Sequence, residues 1–190
     1  MNLLKFSKGN KKLSKDTLIF SLPAGKTCPG ASLCHSFVSI NKDNKRVIQD
    51  GVNTEFRCYA ASQEVMYTAL YKKRKYNLDL LLDALNNFDA VDLINKSLKK
   101  YLTKSIKKVR IHDSGDFFSG EYLRAWLAVA KLNPNIQFYC YSKSLNLFGT
   151  NVSIPDNFYL TASMGGKYDY LIHKGYFKRY AIVVNSVIEA

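Results

Sequence analysis

The chain holds no run of about 20 uncharged apolar residues, the length a helix needs to cross a bilayer. Lys5 and Lys8 break up the opening residues, so no apolar stretch of signal-peptide length begins it. The expectation is a soluble cytoplasmic protein with no membrane partner. Glycine and proline are scarce, 10 and 4 of 190 residues, too few for a collagen-like repeat or a long linker. The charged fraction is only 23% against 47% hydrophobic residues, which excludes intrinsic disorder. No Walker loop, dinucleotide-binding glycine fingerprint or calcium-binding EF-hand loop occurs. The Gly-x-Ser-x-Gly nucleophile elbow is also missing, since Ser114 sits in His-Asp-Ser-Gly-Asp. Acidic residues are few, 15 against 28 basic ones, and the resulting net charge of +13 suits polyanionic partners such as nucleic acid.

What is present reads as one α/β domain over residues 1–190, with 1–16 a basic, weakly ordered arm. A chain of this length buries roughly 70% of its unfolded surface, enough for a core without disulfides. A β-prone run from Thr17 to Leu22 stops at Pro23-Ala24-Gly25. Residues 25–60 look irregular, and 61–102 carry helical spacing through Val65, Met66, Ala69, Leu70 and the later leucines. Lys107 to His112 alternates as a strand does. Ser119 predicts the N-cap of a helix over Gly120 to Leu132, and Ile136 to Tyr141 predicts the next strand. These form a βαβ unit, hence parallel strands with a right-handed crossover. Further strands are expected at Phe158 to Ala162 and Ala181 to Ser186. The fold class is therefore a mostly parallel α/β sheet with helices and a cysteine-rich loop region.

Ligands in parallel sheets sit beyond the carboxyl ends of the strands. The densest polar group there is His112, Asp113, Ser114 and Asp116. His112 has the chemistry of a general base and Ser114 that of a nucleophile, with Asp113 or Asp116 orienting the imidazole. That set would suit a small ester, phosphoester or other anionic substrate, with Lys143 and Gly165-Gly166 completing an anion-tolerant pocket. The same residues also suit a strand-to-helix turn whose side chains satisfy loop amides. The basic run Lys72-Lys73-Arg74-Lys75 reads as a solvated helix end or as a nucleic-acid patch.

The four cysteines are Cys28, Cys34, Cys58 and Cys140. In a cytosolic chain disulfides are disfavoured, which leaves metal binding or plain burial. Pro29-Gly30 after Cys28 permits a turn whose amides face sulfur. Four thiols suit either a tetrahedral zinc site or a [4Fe–4S] cluster, with His35 as a spare ligand. The spacing matches neither a zinc finger nor a ferredoxin run.

Four strings in order carry a resemblance to a known family. They are Phe20-Ser21-Leu22-Pro23-Ala24-Gly25-Lys26-Thr27-Cys28-Pro29-Gly30-Ala31, Arg57-Cys58-Tyr59-Ala60-Ala61, Arg110-Ile111-His112-Asp113-Ser114-Gly115-Asp116-Phe117 and Phe138-Tyr139-Cys140-Tyr141-Ser142-Lys143-Ser144. They resemble the gene-product-eighty-eight-like family of tailed bacteriophages, which implies a viral protein acting in the cytoplasm of an infected bacterial host. More loosely, the chain resembles a trimmed radical S-adenosylmethionine barrel, which implies a partial-barrel-like sheet and favours an iron–sulfur cluster over zinc. The Cys-x3-Cys-x2-Cys triplet of those enzymes is absent. With Cys140 as a fourth ligand no iron would stay open, so radical chemistry is not expected. The leading expectation is a [4Fe–4S] protein with a hydrolytic site. The alternatives are a zinc-stabilised nucleic-acid-binding or modifying protein and a radical-type redox enzyme.

Overall fold

The structure is a computed structural model that describes residues 2–9, 12–149 and 151–184. Its elements in chain order are β1 (Ser7–Lys8), β2 (Thr17–Phe20), β3 (Ser36–Ile40), β4 (Arg46–Asp50), α1 (Tyr59–Met66), α2 (Thr68–Asn86) and α3 (Ala90–Tyr101). There follow β5 (Lys108–Ile111), α4 (Gly120–Leu132), β6 (Gln137–Ser142), β7 (Phe158–Ser163), α5 (Tyr170–His173) and β8 (Tyr180–Ala181). Six strands make one sheet in the order β1-β2-β5-β6-β7-β8; β1 is antiparallel to β2 and every other pair is parallel. From β2 onward the strands lie in chain order. Right-handed crossovers that all advance the same way set their helices on the same face of a sheet.

Strand periodicity then sorts the side chains. Val109 and Ile111 of β5, Phe138 and Cys140 of β6 and Leu18 and Phe20 of β2 enter a single apolar core with Leu81 of α2, Ile94 and Leu98 of α3 and Trp126 of α4. Lys108, Arg110, Tyr139, Tyr141 and Tyr159 occupy the alternate positions and stay half-buried or exposed. The helix α4 begins where expected, with Ser119 Oγ accepting from Tyr122 N at 3.2 Å. No described helix is long and apolar enough to cross a membrane.

Four expectations need correction. Residues 25–60 are not irregular throughout, because β3 and β4 pair as an antiparallel hairpin from Ser36 opposite Asp50 to Ile40 opposite Arg46. Its turn is built by Asn41, whose Oδ1 accepts from Asp43 N and Lys45 N, and by Asn44 at φ 58°. The expected cysteine-rich loop is divided by that hairpin, with Cys28 and Cys34 between β2 and β3 and Cys58 just before α1, while Cys140 is inside β6, where the strand expected over Ile136 to Tyr141 puts it. The last strand covers Tyr180–Ala181 rather than starting at Ala181, and residues 185–186 of the expected strand lie outside the described residues. The basic run on α2 is neither a patch nor wholly solvated. Arg74 is fully buried, donating to Glu64 Oε1 at 2.9 Å and the Ala60 carbonyl at 3.1 Å.

Part of the arm expected to be weakly ordered over 1–16 is packed, and residues 1, 10 and 11 of it lie outside the described residues. Leu4 and Phe6 are core residues, and Phe6 packs on Phe20 with ring centroids 5.3 Å apart. Their backbone is held by side chains: Leu4 N donates to Ser97 Oγ at 2.9 Å, and Asn77 both accepts from Lys5 N and donates to its carbonyl. Leu4→Ala should therefore destabilise the fold by about 2–5 kcal/mol, as for other buried leucines. Lys8→Ala, on the edge strand, should change stability by less than about 0.5 kcal/mol. Urea unfolding of both variants checks this; equal, negligible shifts would restore the arm as a loose appendage.

Candidate functional site

The carboxyl ends of β2, β5, β6 and β7 stand side by side, because the register aligns Phe20 with Ile111, Ile111 with Cys140 and Cys140 with Leu160. The residues after each strand meet on one edge, and Asp116 holds that edge together. One of its carboxylate oxygens accepts from Phe117 N and Ser142 Oγ, each at 2.7 Å. The other accepts from Lys143 N at 2.8 Å and Ser144 N at 3.2 Å. Its own N–H donates to the Thr27 carbonyl at 3.1 Å. A single buried carboxylate thus joins the turn after β5, the end of β6 and the segment leading into Cys28. Gly115 makes the approach possible: at φ +86° it sits where a Cβ would stand 2.6 Å from Thr27 Oγ1 and 2.7 Å from Leu22 Cβ.

The segment around Cys28 and Cys34 is docked on its other side as well. Leu33 N donates to the Gly165 carbonyl at 3.2 Å, and Lys167 N to the Gly30 carbonyl at 2.9 Å. Lys143 reaches across, its Nζ donating to Ser163 Oγ at 3.0 Å and to the Met164 carbonyl. Between these supports lies a cavity of about 300 Å³ lined by Cys28, Cys34 and Cys58 with Tyr59, Arg110, Tyr141 and Lys143. Turns set the first thiol, with Cys28 N donating to the Gly25 carbonyl at 2.9 Å and Ala31 N to the Cys28 carbonyl at 3.1 Å. Cys58 is the N-cap of α1 in an extended conformation, and its side chain makes no cap hydrogen bond. Burial pushes the Cys28 thiol far up, Asp116 adds to the rise, and the other two thiols add more. Burial raises Cys34 too, while the Lys143 ammonium pulls it back.

Cys140 does not join them. Strand alternation turns it away from Tyr141 and into the core, where its Sγ faces the Tyr159 carbonyl at 3.9 Å and burial holds the thiol protonated. His35 is not a substitute, since its ring stands against Gly25 O at 3.2 Å and does not line the cavity. Among the described residues no group of three or more His, Cys, Asp or Glu side chains is arranged to hold a metal ion.

The expected catalytic group lines the same cavity but is wired differently. His112 has φ 69°, in the left-handed region, and this breaks the strand alternation and swings the imidazole into the core. There its Nε2 pairs with Tyr122 OH at 2.9 Å, and its ring lies 4.7 Å from that of Phe117. Nδ1 has no partner, so no His112–Ser114 pair exists. Burial drops the His112 pKa to about 3, far from the near-neutral value a general base needs. Asp116 is occupied by its four donors. Asp113 points its carboxylate toward Arg74 at 3.8 Å while its carbonyl accepts from Tyr59 OH at 2.6 Å. Ser114 is buried, and its carbonyl accepts from Leu22 N at 2.9 Å. The hydrogen bonds of this segment are those of a turn, and they pair neither His112 with Ser114 nor His112 with Asp116. Arg110 and Tyr141, which the sequence reading did not single out, face the cavity. Their alternation with Ile111 and Cys140 was the signal for them.

Comparison with known proteins places the chain among phage proteins. Residues 3–190 match the family described as Gene product 88. The Gene 88 protein of Mycobacterium phage L5 is 35% identical over 91 residues, covering 45% of this chain and 38% of that protein. That of Mycobacterium phage D29 is 33% identical over the same length and shares. The match thus spans less than half the length of these relatives. No solved structure matches, and the radical S-adenosylmethionine resemblance has no support among the matches.

The neutral, buried His112 carries a pH dependence. The unfolded chain binds this proton near 6.5 and the folded one only near 3, so stability is complete above the first value and falls as pH drops through the window. The share of one proton is about 1.4 kcal/mol per pH unit. His112→Asn, which tolerates the left-handed backbone, should lose this share of the slope in urea unfolding between about pH 5 and pH 6. An unchanged slope would mean that His112 is accessible and titrates normally.

Proposed function

This chain belongs to the Gene product 88 family of phage proteins, and from that premise we propose that it is an iron–sulfur protein whose cluster is held by Cys28, Cys34 and Cys58. The observation that carries the proposal is the convergence of three thiols, from two sides of a hairpin, on one cavity at the carboxyl edge of the sheet. Three of only four cysteines in 190 residues share that cavity, and unrelated buried thiols have no reason to do so.

The donor set fits a cluster better than a lone ion. Structural zinc sites take four protein ligands, and this cavity offers three thiols. A cluster several atoms across accepts thiolates set further apart, and clusters are held by cysteine thiolates. The clamp at Asp116 and the dockings at Gly165 and Lys167 fix the Cys28–Cys34 segment independently of any metal. The raised thiols mean that loading displaces protons. When bound, such a cluster supplies electron transfer or a local structural staple. The chain's own contribution is a Lys143 ammonium that offsets thiolate charge.

Anaerobically purified or reconstituted protein should be brown and contain iron and acid-labile sulfide. Cys28→Ala, Cys34→Ala and Cys58→Ala should each lose both, whereas Cys140→Ala should keep them, with at most the stability loss of a small core truncation. Stoichiometric zinc without sulfide would overturn the cluster in favour of a zinc-stabilised protein. Loss of iron only in Cys140→Ala would overturn the assignment of ligands.

A further inference from the structure

Helices α2, α3 and α4 pack on one face of the sheet, and the other carries a composition that the cluster reading does not use. The register places Arg110 beside Tyr139 and Tyr139 beside Tyr159, one row across β5, β6 and β7. Tyr141 stands one pleat further along the same face, next to Thr161. Tyr141 is 44% exposed and Tyr159 39%. Rings of this size in the middle strands of a sheet are normally covered, as both faces of parallel sheets usually are.

The cations on this face sit with the rings. The guanidinium of Arg110 lies 5.5 Å from the Tyr141 ring, and that of Arg179 lies 6.0 Å from the Tyr159 ring. Neither arginine is in an ion pair among the described residues. Arg110 Nε is buried without any hydrogen-bond partner. Lys108 adds a third cation in the same alternation, 3.9 Å from Asp16. The chain as a whole carries +13, so its field favours a polyanion.

We propose that this face, Arg110, Tyr139, Tyr141, Tyr159 and Arg179, binds a single-stranded nucleic acid, with bases stacked on the tyrosines and phosphates met by the arginines. Aromatic rings interleaved with unpaired guanidinium groups are what a single strand requires: its bases expose flat faces and its backbone a charge at every step. A duplex hides those faces and cannot use the rings. The face runs directly into the cysteine cavity, whose wall includes Arg110 and Tyr141, so a bound strand would pass beside it. The proposal does not rest on the metal reading and is tested separately from it.

The test is fluorescence anisotropy of a labelled oligothymidylate of about 12 nucleotides, within the span of one such platform, on the full chain as purified. Binding should weaken with salt, and the same length as duplex should bind more weakly. Tyr141→Leu and Tyr159→Leu keep the net charge and the strand packing but remove the rings. Each should weaken single-strand binding roughly 5- to 100-fold and leave duplex binding unchanged. Arg110→Gln should make the salt dependence shallower by about 0.7 in the logarithmic slope, one phosphate contact. Thermal melting of each variant verifies folding. Equal affinity for single strand and duplex, with no loss in the two leucine variants, would overturn the proposal and leave only non-specific attraction to a basic protein. A dimer that Tyr141→Leu dissociates, with oligonucleotide binding unaltered, would overturn it in favour of contact between copies of this chain.

Discussion

The carboxylate of Asp116 is the contact on which the site depends. It is buried at the meeting point of two strand ends and accepts four hydrogen bonds, three of them from backbone amides of Phe117, Lys143 and Ser144. Burial alone pushes its pKa up, and those donors pull against the rise. An ionised carboxylate that loses water must be repaid by such donors, and an amide buried without an acceptor costs roughly 1–3 kcal/mol. Removing the side chain would orphan several amides at once. Because the Asp116 N–H also holds Thr27, the carboxylate governs where Cys28 sits as well as how β5 and β6 end.

From that clamp the rest follows by strand parity. A period of two sends Ile111 and Cys140 to the helix side and Arg110 and Tyr141 to the other. The cavity opens on the second side, which is why three cysteines from loops and a helix start reach it and the one cysteine inside a strand does not. His112 is the one residue at this edge that escapes parity. Its positive φ spends backbone strain to bury an imidazole among Phe20, Phe117 and Tyr122.

Much of the parallel sheet was legible because its signals are local: alternation in Lys107–His112, a serine cap before α4, and Asn133-Pro134 after it. The carboxyl edge was legible for the same reason, since naming the strands names their ends. What escaped depends on partners distant in the chain. Leu4 and Phe6 lie in a short basic segment whose burial rests on Asn77 and Ser97. Arg74 looked like one more surface cation until Glu64 and Ala60 surrounded it. Counting four cysteines suggested four ligands. Applying the alternation that defined β6 to Cys140 would have removed it. A titratable cluster such as His112 to Asp116 reads as catalytic in one dimension, and only its hydrogen-bond partners reveal a turn.

The proposed iron–sulfur cluster fills the cavity bounded by Cys28, Cys34 and Cys58. Anomalous scattering at the iron edge, on a crystal of the anaerobically purified protein, tests it most directly. The expected result is a compact group of iron peaks bonded to those three sulfurs, with Cys140 Sγ uninvolved in the core. An iron-free cavity in protein that never saw oxygen, or iron bonded to Cys140 instead, would contradict it.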